Sequence, residues 1–310
     1  MSERLIIETK KLSKSFGRLT AVDGLDLKVH EGEIHGFVGP NGAGKSTTLK
    51  MLVGAVKSSS GEGNIRGYPI GTVEARKLIG YSPERPSFYS NMTAWDYLVH
   101  MANLSGVTLK MAEDRAEELL GWMDLSEFQH VKVGGFSAGM KQRLSLAQAM
   151  AHWPKLLILD EPTANLDPGG RIVLLEKLKN LTGDHNISIF ISSHILSELE
   201  YLVDTVTLID KGRTVVEDSV QQLKQSLLPN RYVLTTSNND VVLQALLRKP
   251  GIQEAWLDEG VIYIRGDNMS ILQRVVMETV LQCDAVLKHF GEEQVKLEDV
   301  YCRTVGQDKV

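Results

Sequence analysis

The sequence predicts an α/β fold: a mixed, largely parallel sheet with a helical insertion, followed by a small α+β domain. Three observations carry that expectation. Short apolar strands (GEIHGFVG, KLLILD and ISIFIS) alternate with amphipathic helices, the pattern of a parallel sheet covered on both faces. A glycine-rich run, residues 39–47, stands between the first of those strands and the helix KSTTLKMLVGA. Beyond residue 226 the segments follow the order βαββαβ, a ferredoxin-like arrangement. With 310 residues, 43% of them apolar, the chain can build one large core and one small one.

Taken in order, Leu5 to Val29 reads as strands, with alternation in AVDGLDLKV and turn residues in FGRL and DG. The strand GEIHGFVG and the helix KSTTLKMLVGA follow, with His35 in the core. Between about Asn91 and Met123 the texture turns helical, in AWDYLVHMANL and then LKMAEDRAEELLGWM, whose Ala112, Ala116, Leu119 and Leu120 share one face. The insertion is placed at about 91–150. Next come KLLILD, the helix RIVLLEKLKNL, ISIFIS, and a closing hairpin in TVTLIDKGRTVVED. A linker helix and the turn LLPN occupy Gln221 to Asn230, which divides the chain into domains 1–225 and 226–310. The second domain is read as RYVLTTS, DVVLQALLRKP, IQEAWL, VIYIRG, MSILQRVVMETVLQ and AVLKHF, capped by VKLEDVYCRTV.

Composition excludes several functions. A net charge of −5 without a block of Lys or Arg argues against a nucleic-acid partner. The apolar runs fall far short of the roughly 20 residues of a membrane span, and MSERLIIETK has no secretory pattern. Cys283 and Cys302, the only cysteines, are too few for a disulfide framework or a zinc site and read as reduced thiols of a cytoplasmic protein.

The chemistry lies in five places. Gly39, Pro40, Asn41, Gly42, Ala43, Gly44, Lys45, Ser46 and Thr47 fit G-x-x-x-x-G-K-[ST], the phosphate-binding loop of P-loop NTPases. Its glycines let consecutive N–H groups face phosphate oxygens, Lys45 brings a point charge to the β and γ phosphates, and Ser46 can ligate Mg²⁺. Asp160 ends the strand LLILD where it can hold Mg²⁺ through water, which leaves Glu161 free to deprotonate a water in line with the γ-phosphate. His194 ends the ISIFISS run on the same sheet edge, within reach of the γ-phosphate or the attacking water. Phe16 can stack on a purine ring. Finally, in FSAGMKQR, Ser137 is a good N-cap for a helix with Met140, Leu144, Ala147 and Ala151 on one face, and such a terminus aims free N–H groups at an anion.

Together, residues 39–47, Phe136 to Met140, residues 156–161, Asn165-Leu166-Asp167 and His194 resemble the ATP-binding subunit of ATP-binding-cassette (ABC) transporters over roughly residues 4–220. The resemblance implies an ATPase with ATP and Mg²⁺ as ligands. Phe16 corresponds to the adenine-stacking aromatic, Glu161 to the catalytic base, Asp167 to the residue that crosses the dimer and His194 to the switch histidine. In that family the signature motif, here with Ser137 and Gly139, serves the ATP held by a second subunit. Two departures stand out. Ala138 and Met140 replace the usual Gly and Gln of the signature, and Glu84 stands where a Gln is common, so that a carboxylate there can ligate Mg²⁺ but adds charge beside the γ-phosphate.

The βαββαβ stretch and its ending, VKLEDVY, are similar to the appended domain of the exporter subgroup, drug and peptide-antibiotic exporters whose permease is a separate chain. The resemblance therefore implies a subunit, most simply a homodimer, at the cytoplasmic face of a membrane, bound to a permease. The loop 83–93, with Phe88, Tyr89 and Met92, corresponds to the segment that grips the permease. An ABC-type ATPase without a transport role, controlling an envelope or cytoplasmic partner, is the alternative.

Overall fold

A computed structural model describes residues 4–185, 187–227, 231–266, 269–293 and 297–306. The chain divides into two compact units, one reaching to Val220 and taking in Tyr301 onward, the other Gln221–Val300.

The first unit holds two sheets. Strands β1 (Leu5–Phe16), β2 (Leu19–His30), β4 (Ser60–Ile65) and β5 (Tyr68–Pro69) form an antiparallel sheet in the order β2-β1-β4-β5. The other sheet has six strands, β3 (Ile34–Val38), β6 (Ile79–Ser82), β7 (Leu156–Asp160), β8 (Ser188–Ser193), β9 (Thr205–Asp210) and β10 (Arg213–Ser219), in the order β10-β9-β3-β8-β7-β6. All its pairs are parallel except the β9–β10 hairpin, as the mixed, largely parallel reading expects. Strands β3, β7 and β8 are buried at every position, which is why they read as unbroken apolar runs.

Helix α1 (Lys45–Leu52) packs against β2, β4 and β7, so that Leu49, Met51 and Leu52 join Ile7, Leu27, Phe37, Ile158 and Phe190 in one core between the sheets. Helix α2 (Val73–Lys77), with β4 and β5, fills a stretch to which the sequence reading assigned no element. Three helices make up the insertion, α3 (Ala94–Leu104), α4 (Leu109–Trp122) and α5 (Ala138–Met150), and Ala112, Ala116, Leu119 and Leu120 are buried as their spacing predicts. The longest helix, α6 (Pro168–His185), lies between β7 and β8 in the chain, and the one-turn α7 (Leu196–Leu199) follows β8. His35 is fully buried, as expected of a core residue. Its Nδ1 meets the Thr205 hydroxyl at 2.7 Å, its Nε2 meets the Thr207 hydroxyl at 2.8 Å, and its ring stacks on Phe190.

After α8 (Val220–Leu227) come β11 (Arg231–Thr236), α9 (Asn239–Leu246), β12 (Glu254–Asp258), β13 (Val261–Arg265), α10 (Met269–Gln282), β14 (Leu287–Glu292) and α11 (Leu297–Gly306). Residues 228–230 of the expected LLPN turn, residue 294, and 295–296 at the start of the expected terminal helix lie outside the described residues. Strands β11 to β14 form an antiparallel sheet in the order β12-β13-β11-β14. Alternation in β11 sends Tyr232 and Leu234 into a core with Ile262, Ile264, Leu246 and Val276.

Candidate functional site

The chain leaves β3 at Val38 and turns sharply before α1. A Cβ on Gly39 would stand 2.2 Å from the Ile209 carbonyl oxygen, and one on Gly44 would stand 2.5 Å from that of Ala21, at a φ of +106° that side chains rarely adopt. Ala43 pins the loop, donating its N–H to Pro40 O at 3.1 Å and accepting from Gly212 N at 2.9 Å in the β9–β10 turn. Among the described residues, the N–H groups of Gly42, Gly44, Lys45, Ser46 and Thr47 donate to no protein acceptor. Five donors at the start of a helix make an anion cradle. Lys45 is only 6% exposed. Its ammonium donates to the Gly39 and Pro40 carbonyls at 2.7 and 3.2 Å and lies 3.5 Å from Glu161 Oε1.

The facing wall comes from the ends of β7 and β8. Asp160 is almost completely buried, and its Oδ1 accepts from Ser192 Oγ at 2.8 Å and Ser46 Oγ at 3.2 Å. Glu161 takes the left-handed backbone conformation (φ 49°), held by bonds from its N–H to both Ser192 O and Ser192 Oγ. That conformation turns its carboxylate toward Lys45 on one side and His194 on the other, where Glu161 Oε2 meets His194 Nδ1 at 2.5 Å. A buried carboxylate needs such partners, since an unpaired one costs several kcal/mol, roughly. Tyr81 borders this wall: burial first, then the charge of Asp160, pushes its phenol up to about 12.

A cleft of about 470 Å³ opens between the walls, lined by Asn41, Gly42, Gly44, Lys45, Ser46, Thr47, Glu84, Glu161 and His194 among the residues singled out, and by Leu19, Ala21 and Ala164 besides. Gly39, Pro40 and Ala43 shape the loop from behind. Glu84 is half exposed and paired with Arg85 at 3.5 Å. Phe16 is half exposed with the Lys14 ammonium 4.9 Å from its ring, and it pairs in the β1–β2 hairpin with Leu19, itself a cleft residue. Ser137 and Gly139 are not brought to this cleft. Ser137 instead caps α5, accepting from Met140 N at 3.2 Å, with its hydroxyl at the surface.

The donor set fits a cation that arrives with the nucleotide. Among the described residues no three His, Cys, Asp or Glu side chains stand together as a metal cage. A hydroxyl beside one carboxylate, as in Ser46 and Asp160, suits Mg²⁺, which keeps several waters and takes substrate phosphates as ligands. Sequence reasoning passed over Ser192, which joins Asp160 to the Glu161 backbone. Its signal was there: two serines ending an otherwise apolar strand, SIFISS, where a hydroxyl is fully buried only if something bonds it.

A glycine loop with a buried lysine at the carboxyl end of one parallel strand, faced by an acidic pair at the end of a strand one removed from it in the sheet, defines a P-loop nucleoside triphosphatase. The protein-family model described as ABC transporter matches residues 22–164. The bacitracin transport ATP-binding protein BcrA of Bacillus licheniformis is 43% identical over 77% of this chain and 78% of its own length. An ABC transporter ATP-binding protein of Bacillus subtilis, YxlF, is 32% identical over 97% of this chain and 99% of its own. A dimeric bacterial ABC transporter cassette shares the fold with a TM-score of 0.65 at 23% identity, over 69% of this chain and 98% of that one. The chain belongs to the ATP-binding subunits of ABC transporters, and it is an ATPase of that family. Among the described residues no helix is long and apolar enough to cross a membrane.

Proposed function

We propose that this subunit closes with a second copy around two ATP molecules and drives a separate permease that exports a peptide antibiotic, drug or lipid from the cytoplasmic side. One observation carries the catalytic half of that reading: the Glu161 carboxylate is held at the mouth of the phosphate loop between Lys45 Nζ at 3.5 Å and His194 Nδ1 at 2.5 Å. When ATP occupies the cleft, Lys45 turns to the β and γ phosphates, and the freed Glu161 oxygen takes the proton of a water in line with the γ-phosphate. His194, donating from Nδ1, fixes that carboxylate's orientation. Mg²⁺ bound with the nucleotide neutralises phosphate charge, and Ser46 and Asp160, with Glu84 at the cleft edge, are the residues that would hold it. Phe16 stacks on the adenine.

The second copy enters because the α5 terminus, with Ser137 and Gly139, stands apart from the chain's own cleft. The N–H groups of that terminus left free by the Ser137 cap serve the partner's γ-phosphate, and Asp167 crosses with them. The permease meets the loop 83–93, where Tyr89 is 60% exposed and Phe88 packs edge-on against Tyr97. The similarity to a bacitracin transport protein supports the exporter reading. The strand order β12-β13-β11-β14 supports a ferredoxin-like accessory domain over 226–310, following an ATP-binding domain over 1–225 with its insertion at 91–150.

The test is turnover. Glu161→Gln should lose on the order of 10² to 10⁴ in rate while still binding ATP, and with ATP and Mg²⁺ it should sediment as a dimer. Lys45→Ala chains mixed with Ser137→Arg chains should recover ATPase activity, because one of the two composite sites then carries both defects and the other neither. Parental hydrolysis by Glu161→Gln removes the base, and monomer with trapped ATP removes the composite site.

A further inference from the structure

The side chain of Glu198 has both carboxylate oxygens committed. Oε2 accepts from the Thr163 hydroxyl at 2.7 Å, and Oε1 accepts from Arg171 Nη1 at 2.7 Å. Arg171 adds a bond from Nε to the Leu166 carbonyl at 3.0 Å. None of these groups is part of the cleft, and Thr163 and Glu198 are largely shielded from water, at 5% and 16% exposure.

Their positions in the chain give the arrangement its meaning. Thr163 is two residues after Glu161, in a turn closed by bonds from Ala164 N to Glu161 O and from Leu166 N to Thr163 O. Glu198 is four residues after His194, on α7, beyond a turn in which Ile195 N donates to Ser193 Oγ at 2.9 Å. Arg171 is four residues after Asp167, in the first turn of α6, with its N–H on the Asp167 carbonyl. One carboxylate therefore ties together the three segments that carry Glu161, His194 and Asp167. We propose that Glu198 is a positioning residue for ATP hydrolysis: it sets the spacing of Glu161 and His194 and makes both move with the segment that bears Asp167.

The proposal rests on the assignment of Glu161 and His194 above. A part-buried carboxylate that bridges two residues, one on each oxygen, fixes their spacing in both directions, and a displacement of about 1 Å in a reacting group can cost on the order of a hundredfold in rate. The clamp makes no bond to the phosphate loop, residues 39–47.

Three variants test it, each assayed as full-length protein for steady-state ATPase activity, Mg-ATP affinity and thermal unfolding. Glu198→Ala should lower kcat about 10- to 100-fold and leave KM and Kd for Mg-ATP within about twofold. Glu198→Gln should recover to within about threefold of the parent, because its amide oxygen can accept from Arg171 while its amide nitrogen donates to the Thr163 hydroxyl. Thr163→Val, which cuts one bond, should show a smaller kcat loss of the same kind, and it carries the test if Glu198→Ala does not fold. Parental kcat per folded Glu198→Ala molecule beside an inactive Glu161→Gln overturns the clamp and leaves the base standing. A raised KM at unchanged kcat also overturns it. Parental hydrolysis by Glu161→Gln overturns both.

Discussion

Lys45 and Glu161 hold each other at the mouth of the phosphate loop, so removing the carboxylate charge should tighten ATP binding. At 3.5 Å, with side chains only 6% and 11% exposed, the pair attracts by about 5 kcal/mol at an effective dielectric constant of about 20. Phosphate oxygens replace most of that attraction once ATP is bound, but Glu161 then faces the γ-phosphate as a like charge. The residual gain in Glu161→Gln is about 1.5 to 3 kcal/mol, the size of one charge-assisted hydrogen bond, which corresponds to roughly ten- to a hundredfold in Kd. Closure on a second copy would also tighten binding, so both Kd values should be measured by calorimetry in a Ser137→Arg background. An unchanged or weaker affinity for Glu161→Gln in that background would show that the ion pair does not compete with the nucleotide.

Three other outcomes follow from the geometry. Ser192→Ala removes the shorter of the two bonds to buried Asp160 and one of the two acceptors on the Glu161 N–H, so it should cost about 2 kcal/mol and lower Tm by about 4–8 °C in calorimetry; Ser192→Thr should keep part of this. The Tyr81 hydroxyl is buried without a partner among the described residues, so Tyr81→Phe should raise stability by about 1 kcal/mol in urea unfolding, and a loss of that size would mean that the hydroxyl is hydrogen-bonded in solution. Paired Phe88→Ala and Tyr89→Ala changes should leave folding and ATP binding intact but abolish co-purification with a membrane protein. Because Phe88 touches Tyr97, whose hydroxyl bonds Gln148 at 2.7 Å, a loss of helical circular dichroism would instead assign that aromatic pair to packing.

The parallel sheet was legible because β3, β7 and β8 are buried on both faces and so lack polar alternation. The phosphate loop was legible because its glycines answer to close backbone approaches that no side chain survives. Less visible was the segment holding β4, β5 and α2, where SGEGNIRGYPIGT offers short strands broken by glycines and little apolar periodicity. Within the site, residue types pointed to Lys45, Asp160 and Glu161, whose charges are costly to bury without a purpose, and to His194 at a strand end. Pairings between distant segments were not visible: Glu161 to Lys45, Ser192 to Asp160, and Glu198 to Thr163 and Arg171. Each joins residues whose separation in sequence carries no local signal, and only the parallel register brings their strand ends to one edge. The left-handed conformation of Glu161 belongs to the same class, since its two acceptors are both atoms of Ser192 on the next strand.

The placement of the Ser137 terminus away from the chain's own cleft sets how activity scales with abundance. If two half-sites must meet, turnover in dilute solution rises with the square of protein concentration rather than in proportion to it, until the pair saturates. A cell making half as many chains below saturation would keep about a quarter of the activity. A catalytically dead chain with an intact Ser137 terminus would still complete the site of an intact partner, whereas a chain that lacks both Glu161 and the Ser137 terminus would only occupy that partner. If the composite site holds, dosage is written into where one helix begins.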